Sequence, residues 1–177
     1  MKETKIKSKH MYHCHFLDLY EDDVLLENNK QSKRVVIKHP GGAAVLPLTV
    51  DNKIILTKQY RYPIKQVTIE IPAGKKDFKD EDPLVCAKRE LEEETGYESV
   101  QYQHIFSLHP CVGYSDELLE IYLAKNCYKL SNPKDMDEDE FIEILIVDKI
   151  EAKSLIDRKL ITDGKTIIAI QYYIMNL

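Results

Sequence analysis

RELEEETGY, Arg89 to Tyr97, sets Glu90, Glu92, Glu93 and Glu94 just ahead of a glycine, Gly96, and Glu81 adds another acid a short way upstream. Read as the end of a helix, the run is electrostatically misplaced. Acids in the last turn face the negative end of the macrodipole and are unfavourable there by roughly a few tenths of a kcal/mol each. Something positive has to offset them, and a multivalent cation is the simplest candidate, because hard cations such as magnesium take carboxylate oxygens.

Both ends of that helix are written in the sequence. Asp82 followed by Pro83 is a start signal, since Asp caps and Pro is preorganised for the first helical position, and Gly96 suits the left-handed position after the last turn. The spacing predicts a helix over Pro83 to Thr95, with Leu84, Ala87, Leu91 and Thr95 as a narrow core-facing stripe. Glu90, Glu93 and Glu94 flank that stripe at i, i+3 and i+4, close enough to converge on one point, while Glu92 is expected to face solvent.

Upstream, VLL (Val24 to Leu26) and RVVIKH (Arg34 to His39) read as short strands around the turn-rich NNKQSK. AAVLPLTV and KIILTKQYR form a hairpin through Asp51-Asn52, and VTIEI (Val67 to Ile71) joins them in a mixed sheet. Downstream, VQYQHIFSLHP and LLEIYLAKNCY are strands around the loop CVGYSDE, and FIEILIV follows the acidic run DMDEDE, Asp135 to Glu140. Helical segments close the chain near Lys149 to Arg158 and Asp163 to Asn176.

At 177 residues and 44% apolar content the chain suits one globular domain, led by a strand unit over residues 1–40 that is not an independent domain. A net charge of −5 with scattered lysines and arginines gives no basic stripe for nucleic acid. Cys14, Cys86, Cys111 and Cys127 form no CxxC pair, and MKETKIKSKH has no apolar signal core, which together suit free thiols in a cytoplasm. No apolar run reaches the roughly 20 residues of a membrane span.

From Gly74 the pattern runs Gly, six residues, Glu81, seven residues, then Arg89-Glu90-Leu91-x-Glu93-Glu94-x-Gly96-Tyr97. This closely resembles the Nudix box, with one extra residue in the KKDFKD loop between Gly74 and Glu81. QYRYPIKQVTIEIPAGK, GYSDE, the DEDEF loop and DGKTIIAIQYY are similar to the ADP-ribose pyrophosphatase branch of the Nudix hydrolases. An acidic helix face paired with Lys88 and Arg89 would, by itself, be ordinary solvated surface; Gly74, Glu81, Gly96 and IPAG in register argue otherwise.

The resemblance implies an α/β/α sandwich with a mixed sheet over residues 41–177, a homodimer formed through the N-terminal strands, and magnesium, with manganese a substitute. It implies hydrolysis of ADP-ribose to AMP and ribose 5-phosphate. Another nucleotide sugar, a dinucleoside polyphosphate, or a non-catalytic nucleotide sensor are the alternatives. Residue by residue, it implies Glu90 and Glu94 as metal ligands, Glu93 as an additional ligand, and the Ala73 carbonyl as a backbone ligand, with Glu81 in support. Arg89 would orient the glutamates through its planar fork. Glu138, with Glu140 second and Asp137 and Asp139 as alternatives of register, would be the general base. Arg61 would meet phosphate or ribose, Glu70 the adenine or ribose side, and Glu117 the terminal ribose. Val112 stands where the branch usually has proline.

His10, His13, Cys14 and His15 are types that hold zinc. Regular strand alternation puts His13 and His15 on one face and Cys14 on the other, and no second cluster is spaced to complete a tetrahedron, so the sequence reading favours ordinary strand residues. His109 and Cys111 read the same way, and Tyr60, Tyr62 and Tyr114 are sheet residues as readily as base-stacking ones.

Overall fold

The structure, a computed structural model, describes residues 1–134 and 141–176. It has two compact units: Met1–Gly41 with His109–Leu118, and Gly42–Leu108 with Leu119–Leu177.

The first unit is a three-stranded antiparallel sheet of β1 (Thr4–His13), β2 (Asp18–Leu25) and β3 (Gln31–Lys38), in that order. β1 lies within residues 1–40, read as a strand unit, but no sequence signal marks its bounds, because all ten of its residues are exposed. It stands only by pairing with β2, and its register breaks between Lys5 and Lys7 and between His10 and Tyr12. The loop at 109–118 is tied to the end of β3. Ile37 N–H donates to the Tyr114 carbonyl (2.7 Å) and Asp116 N–H to the Ile37 carbonyl (3.1 Å). The Asp116 carboxylate accepts from Lys38 Nζ (2.6 Å) and from His39 N–H (3.0 Å).

The second unit runs β4 (Gly42–Thr49), β5 (Ile54–Arg61), a 3-10 turn, β6 (Gln66–Glu70), β7 (Ala73–Lys75), α1 (Pro83–Thr95), β8 (Tyr97–Glu98) and β9 (Gln101–Leu108). It continues with β10 (Leu119–Lys129), β11 (Glu143–Val147), α2 (Lys149–Asp157) and α3 (Gly164–Asn176). The sheet order is β11-β5-β4-β10-β8, with β6 on β5, β7 on β4 and β9 on β10. β4 and β10 are parallel and the other pairs antiparallel, so the sheet is mixed.

β4 is buried along its whole length, and its alternation explains the layers. Ala44, Leu46 and Leu48 join Leu56, Ile121, Leu123, Leu155, Ala169 and Ile170 in one core, under α2 and α3. Val45 packs with Ile55 and Leu91, and Ala43 with Cys86 and Ala87, under α1. A strand that is apolar on both faces needs cover on both, which is why the fold is an α/β/α sandwich.

Candidate active site

α1 is fixed at both ends as its sequence requires. The Asp82 side chain accepts from Leu84 N–H at 2.8 Å, Pro83 opens the helix, and Gly96 at φ +70° donates its N–H to the Glu92 carbonyl at 2.7 Å. A capped, rigid helix holds its side chains in fixed register. Cys86, Ala87, Glu90, Leu91, Glu94 and Thr95 are its buried residues, so the inward face is wider than the apolar stripe alone and includes two carboxylates.

β7 lies against that face. The Ala73 N–H donates to the Glu94 carboxylate at 3.2 Å. At Gly74 an added Cβ would fall 2.0 Å from Glu90 Oε1, so the glycine is needed for space. The same close packing continues inward, where a Cβ on Gly42 would stand 2.7 Å from the Gly74 carbonyl oxygen. Two glycines therefore bring β4, β7 and the acidic face of α1 together.

Arg89 ties the acids to one another. Its Nη1 donates to Glu90 (2.7 Å) and Glu93 (3.2 Å), and its Nη2 donates to the Lys75 carbonyl (3.1 Å). Its fork spans two carboxylates rather than gripping one. Burial works against the guanidinium charge, but Glu90 first among its anionic neighbours more than compensates and raises its pKa. Arg89 Nε is buried and has no hydrogen-bond partner among the described residues, and Glu81 Oε1 stands 3.8 Å away. Glu81 is itself buried and accepts from Asp77 N–H at 2.7 Å, so the longer loop folds back and returns this acid to the cluster. Glu92 departs from the expectation of a solvated side chain: it accepts from Lys134 N–H at 3.2 Å, with Lys134 Nζ 3.5 Å away.

A second polar cluster adjoins β6. Glu70 is buried, and its two carboxylate oxygens take Arg61 Nε (2.8 Å) and Nη2 (2.9 Å), Lys165 Nζ (2.5 Å) and the Thr68 hydroxyl (2.5 Å). Burial pushes its pKa up, yet Arg61, Lys165 and Thr68 outweigh burial and hold it at about 2. Asp163, at the start of α3, accepts from Lys165 Nζ (3.0 Å) and from the amide (3.0 Å) and hydroxyl (2.6 Å) of Thr166, whose oxygen accepts from Ile71 N–H (2.8 Å). Arg61 has its pKa raised by Glu70 first, and the charge of Glu94 adds to the shift, so the guanidinium lies within electrostatic reach of the acidic helix. Sequence reasoning missed Lys165, Thr68 and Asp163; the quoted DGKT run was the available signal, but no role attached to it.

Glu117 belongs to the first unit. Its carboxylate is 4.0 Å from His39 Nδ1 and its carbonyl is 2.8 Å from His109 Nδ1. Glu138 and Glu140, with Asp137 and Asp139, lie outside the described residues.

The α1 cluster offers oxygen donors, the set that a hard divalent cation takes, and sets Arg89 against Glu81, Glu90 and Glu93 while Glu94 faces the Ala73 N–H. Those residues fit a hard divalent cation. The neighbouring Cys86 thiol points at the carbonyls of Gly74 (3.7 Å) and Lys75 (3.5 Å), and burial, then the Glu90 charge, pushes its pKa up to about 12.

Comparison with known proteins places this arrangement. The chain is 43% identical over 171 residues to the methanol dehydrogenase activator of Bacillus methanolicus, covering 97% of this chain and 92% of that protein. It is 41% identical over 172 residues to an ADP-ribose pyrophosphatase of Bacillus subtilis (strain 168), again covering 97% and 92%. The crystal structure of an ADP compounds hydrolase matches with a TM-score of 0.83 over 96% of this chain and 91% of that one; at 18% identity it bears on the fold alone. A NUDIX domain matches residues 38–164, a span that holds Gly74, Glu81 and the whole of the glutamate helix. The domain match covers most of the chain, and the chain belongs to the NUDIX family of hydrolases.

Proposed function

We propose that this chain hydrolyses the pyrophosphate bond of ADP-ribose to AMP and ribose 5-phosphate with magnesium, for which manganese can substitute. The observation that carries the reading is the convergence of Glu90 and Glu94 on the β7 backbone with Glu93 and Glu81 gathered around Arg89. The choice of ADP-ribose is supported by the identity to the Bacillus subtilis enzyme.

Glu90, Glu94 and the Ala73 carbonyl would hold the metal, with Glu93 as a further ligand, and the chemistry supplied there would be charge neutralisation at the pyrophosphate oxygens and a lowered pKa for a water. Arg89 keeps Glu90 and Glu93 apart and oriented, because a guanidinium shared between two carboxylates fixes both. Arg61 presents its remaining donors to the substrate's phosphate or ribose. Glu70, with both oxygens engaged, acts by fixing Arg61 rather than by meeting the nucleotide. Glu138, or Glu140 as second choice, takes the proton of the attacking water.

The proposal extends to a cytoplasmic homodimer. Among the described residues no helix is long and apolar enough to cross a membrane. β1 is exposed along its whole length, and an unpaired edge of that kind pairs readily with a second copy. Light scattering on the purified chain tests this, with a monomer mass counting against it.

A panel of ADP-ribose, other nucleotide sugars and dinucleoside polyphosphates, with phosphate-product detection, tests the substrate. ADP-ribose should give the highest kcat/KM, and tight binding of ADP-ribose without turnover in magnesium would favour the sensor. A second reading, a role in activating a dehydrogenase, is favoured by the identity to the methanol dehydrogenase activator. Stimulation of a methanol dehydrogenase by the added chain would support it.

A further inference from the structure

The N-terminal sheet carries a cluster of side chains unlike the oxygen-only set on α1. His10 Nε2 lies 2.7 Å and His13 Nδ1 2.8 Å from the same Asp18 oxygen, and the three ligand atoms lie within 4.8 Å of one another.

Regular alternation would put residues 10 and 13 on opposite faces of a strand, because successive side chains point to opposite sides. The register shift between His10 and Tyr12 removes that obstacle. His10 pairs with Tyr20, Tyr12 with Leu19, and His13 with Asp18, so the residue between His10 and Tyr12 bulges out and both imidazoles reach one face. Asp18 stands directly across from His13, and Tyr20 directly across from His10, where its ring stacks on the imidazole at 4.8 Å and 30°. Lys38, the cross-strand neighbour of Asp18 on β3, directs its ammonium to Asp116. A bulge, a cross-strand carboxylate and a stacked ring therefore hold two nitrogens and one oxygen about a common point.

We propose that His10, His13 and Asp18 form a second metal site, for a borderline divalent ion such as zinc, with water completing the coordination. Imidazole nitrogen suits zinc, cobalt, nickel and copper, whereas the α1 glutamates suit magnesium, so donor chemistry separates the two sites. A tetrahedral zinc with ligand distances of about 2.0–2.1 Å holds its donors about 3.3 Å apart. Each nitrogen-to-oxygen separation then lengthens by about half an ångström from the present hydrogen bonds, a movement that exposed side chains accommodate by small χ rotations. On binding, each imidazole coordinates in its neutral form through the nitrogen that faces Asp18, with its single N–H on the other ring nitrogen. The ion links β1 to β2 at the end of an edge strand that has no buried residue of its own.

The test is a cobalt(II) titration of the full chain in excess magnesium, which keeps the oxygen-donor site filled. A strong visible band from low-symmetry four-coordinate cobalt should grow to saturation at one ion per chain and be displaced by zinc. His13→Ala and His10→Ala should each weaken binding by more than about tenfold, with magnesium-dependent hydrolysis and far-ultraviolet circular dichroism unchanged. His13→Gln, which keeps a polar side chain of similar size on the strand, should lose the band equally. Glu94→Gln should keep it. No band in the parent chain, a band that survives in His13→Gln, or one lost in Glu94→Gln would each overturn the proposal.

Discussion

Gly74→Ala separates the space the active site needs from the stability of the fold. The backbone at Gly74 has no positive φ, so alanine meets no conformational barrier there. The obstacle is the Glu90 carboxylate, whose Oε1 would stand 2.0 Å from the new methyl carbon, with Cδ at 2.1 Å. Ordinary contact begins near 3.4 Å, so the carboxylate has to retreat by about 1.4 Å, away from its 2.7 Å contact with Arg89. Misplacing a catalytic group by about 1 Å costs on the order of 100-fold in rate, close to 2.7 kcal/mol of barrier. Stability should change by about 1 kcal/mol at most, because Glu90 is flexible at its far end and alanine restricts the unfolded chain. At Gly42 the obstructing atom is the backbone carbonyl of Gly74 at 2.7 Å, so Gly42→Ala should lose stability first. Steady-state release of AMP from ADP-ribose gives kcat, and urea unfolding gives the free energy. A Gly74→Ala enzyme with kcat within threefold of the parent would refute the placement of Glu90 in the reacting centre.

Two further outcomes follow from the Glu70 cluster. Lys165→Met should destabilise the fold by about 3 kcal/mol in urea unfolding, since it strips one partner from a buried carboxylate and leaves the charge under-compensated. Glu70 should also make stability acid-sensitive. Its folded pKa of about 2 lies below the ordinary 4.5, so its contribution is fully present above about 4.5 and lost as pH falls from there through 2. Across that window the parent chain should lose about 3 kcal/mol that Glu70→Gln does not lose. Parallel acid-unfolding curves for the two proteins would count against the assignment.

The helix that carries the chemistry was legible because its signals are local: Asp82-Pro83 and Gly96 mark its ends, and the observed Pro83–Thr95 follows them. β4 was legible because an apolar run buried on both faces needs no partner to be recognised, and β10 because its buried residues alternate with partly exposed ones. The bounds of β1 within the N-terminal strand unit were not, since a strand exposed at every position carries no periodic pattern and its pairing depends on β2. The bulge beyond His10 was hidden for the same reason, and with it the convergence of His10 and His13 on Asp18. Long-range polar contacts were equally invisible. What holds Glu70 in place is unmarked in the sequence, since Lys165, which donates to one of its oxygens, lies 95 positions on. Glu92 was read as solvated because its partner Lys134 lies 42 positions away.

Release of AMP from ADP-ribose in magnesium, measured for the parent chain and for Glu94→Gln in the same preparation, bears on the whole account. The parent should turn over and the variant should fall by orders of magnitude, with circular dichroism unchanged and the thermal stabilisation by magnesium reduced. A Glu94→Gln protein that retains the parent's turnover would contradict the reading of the α1 carboxylates as the metal site.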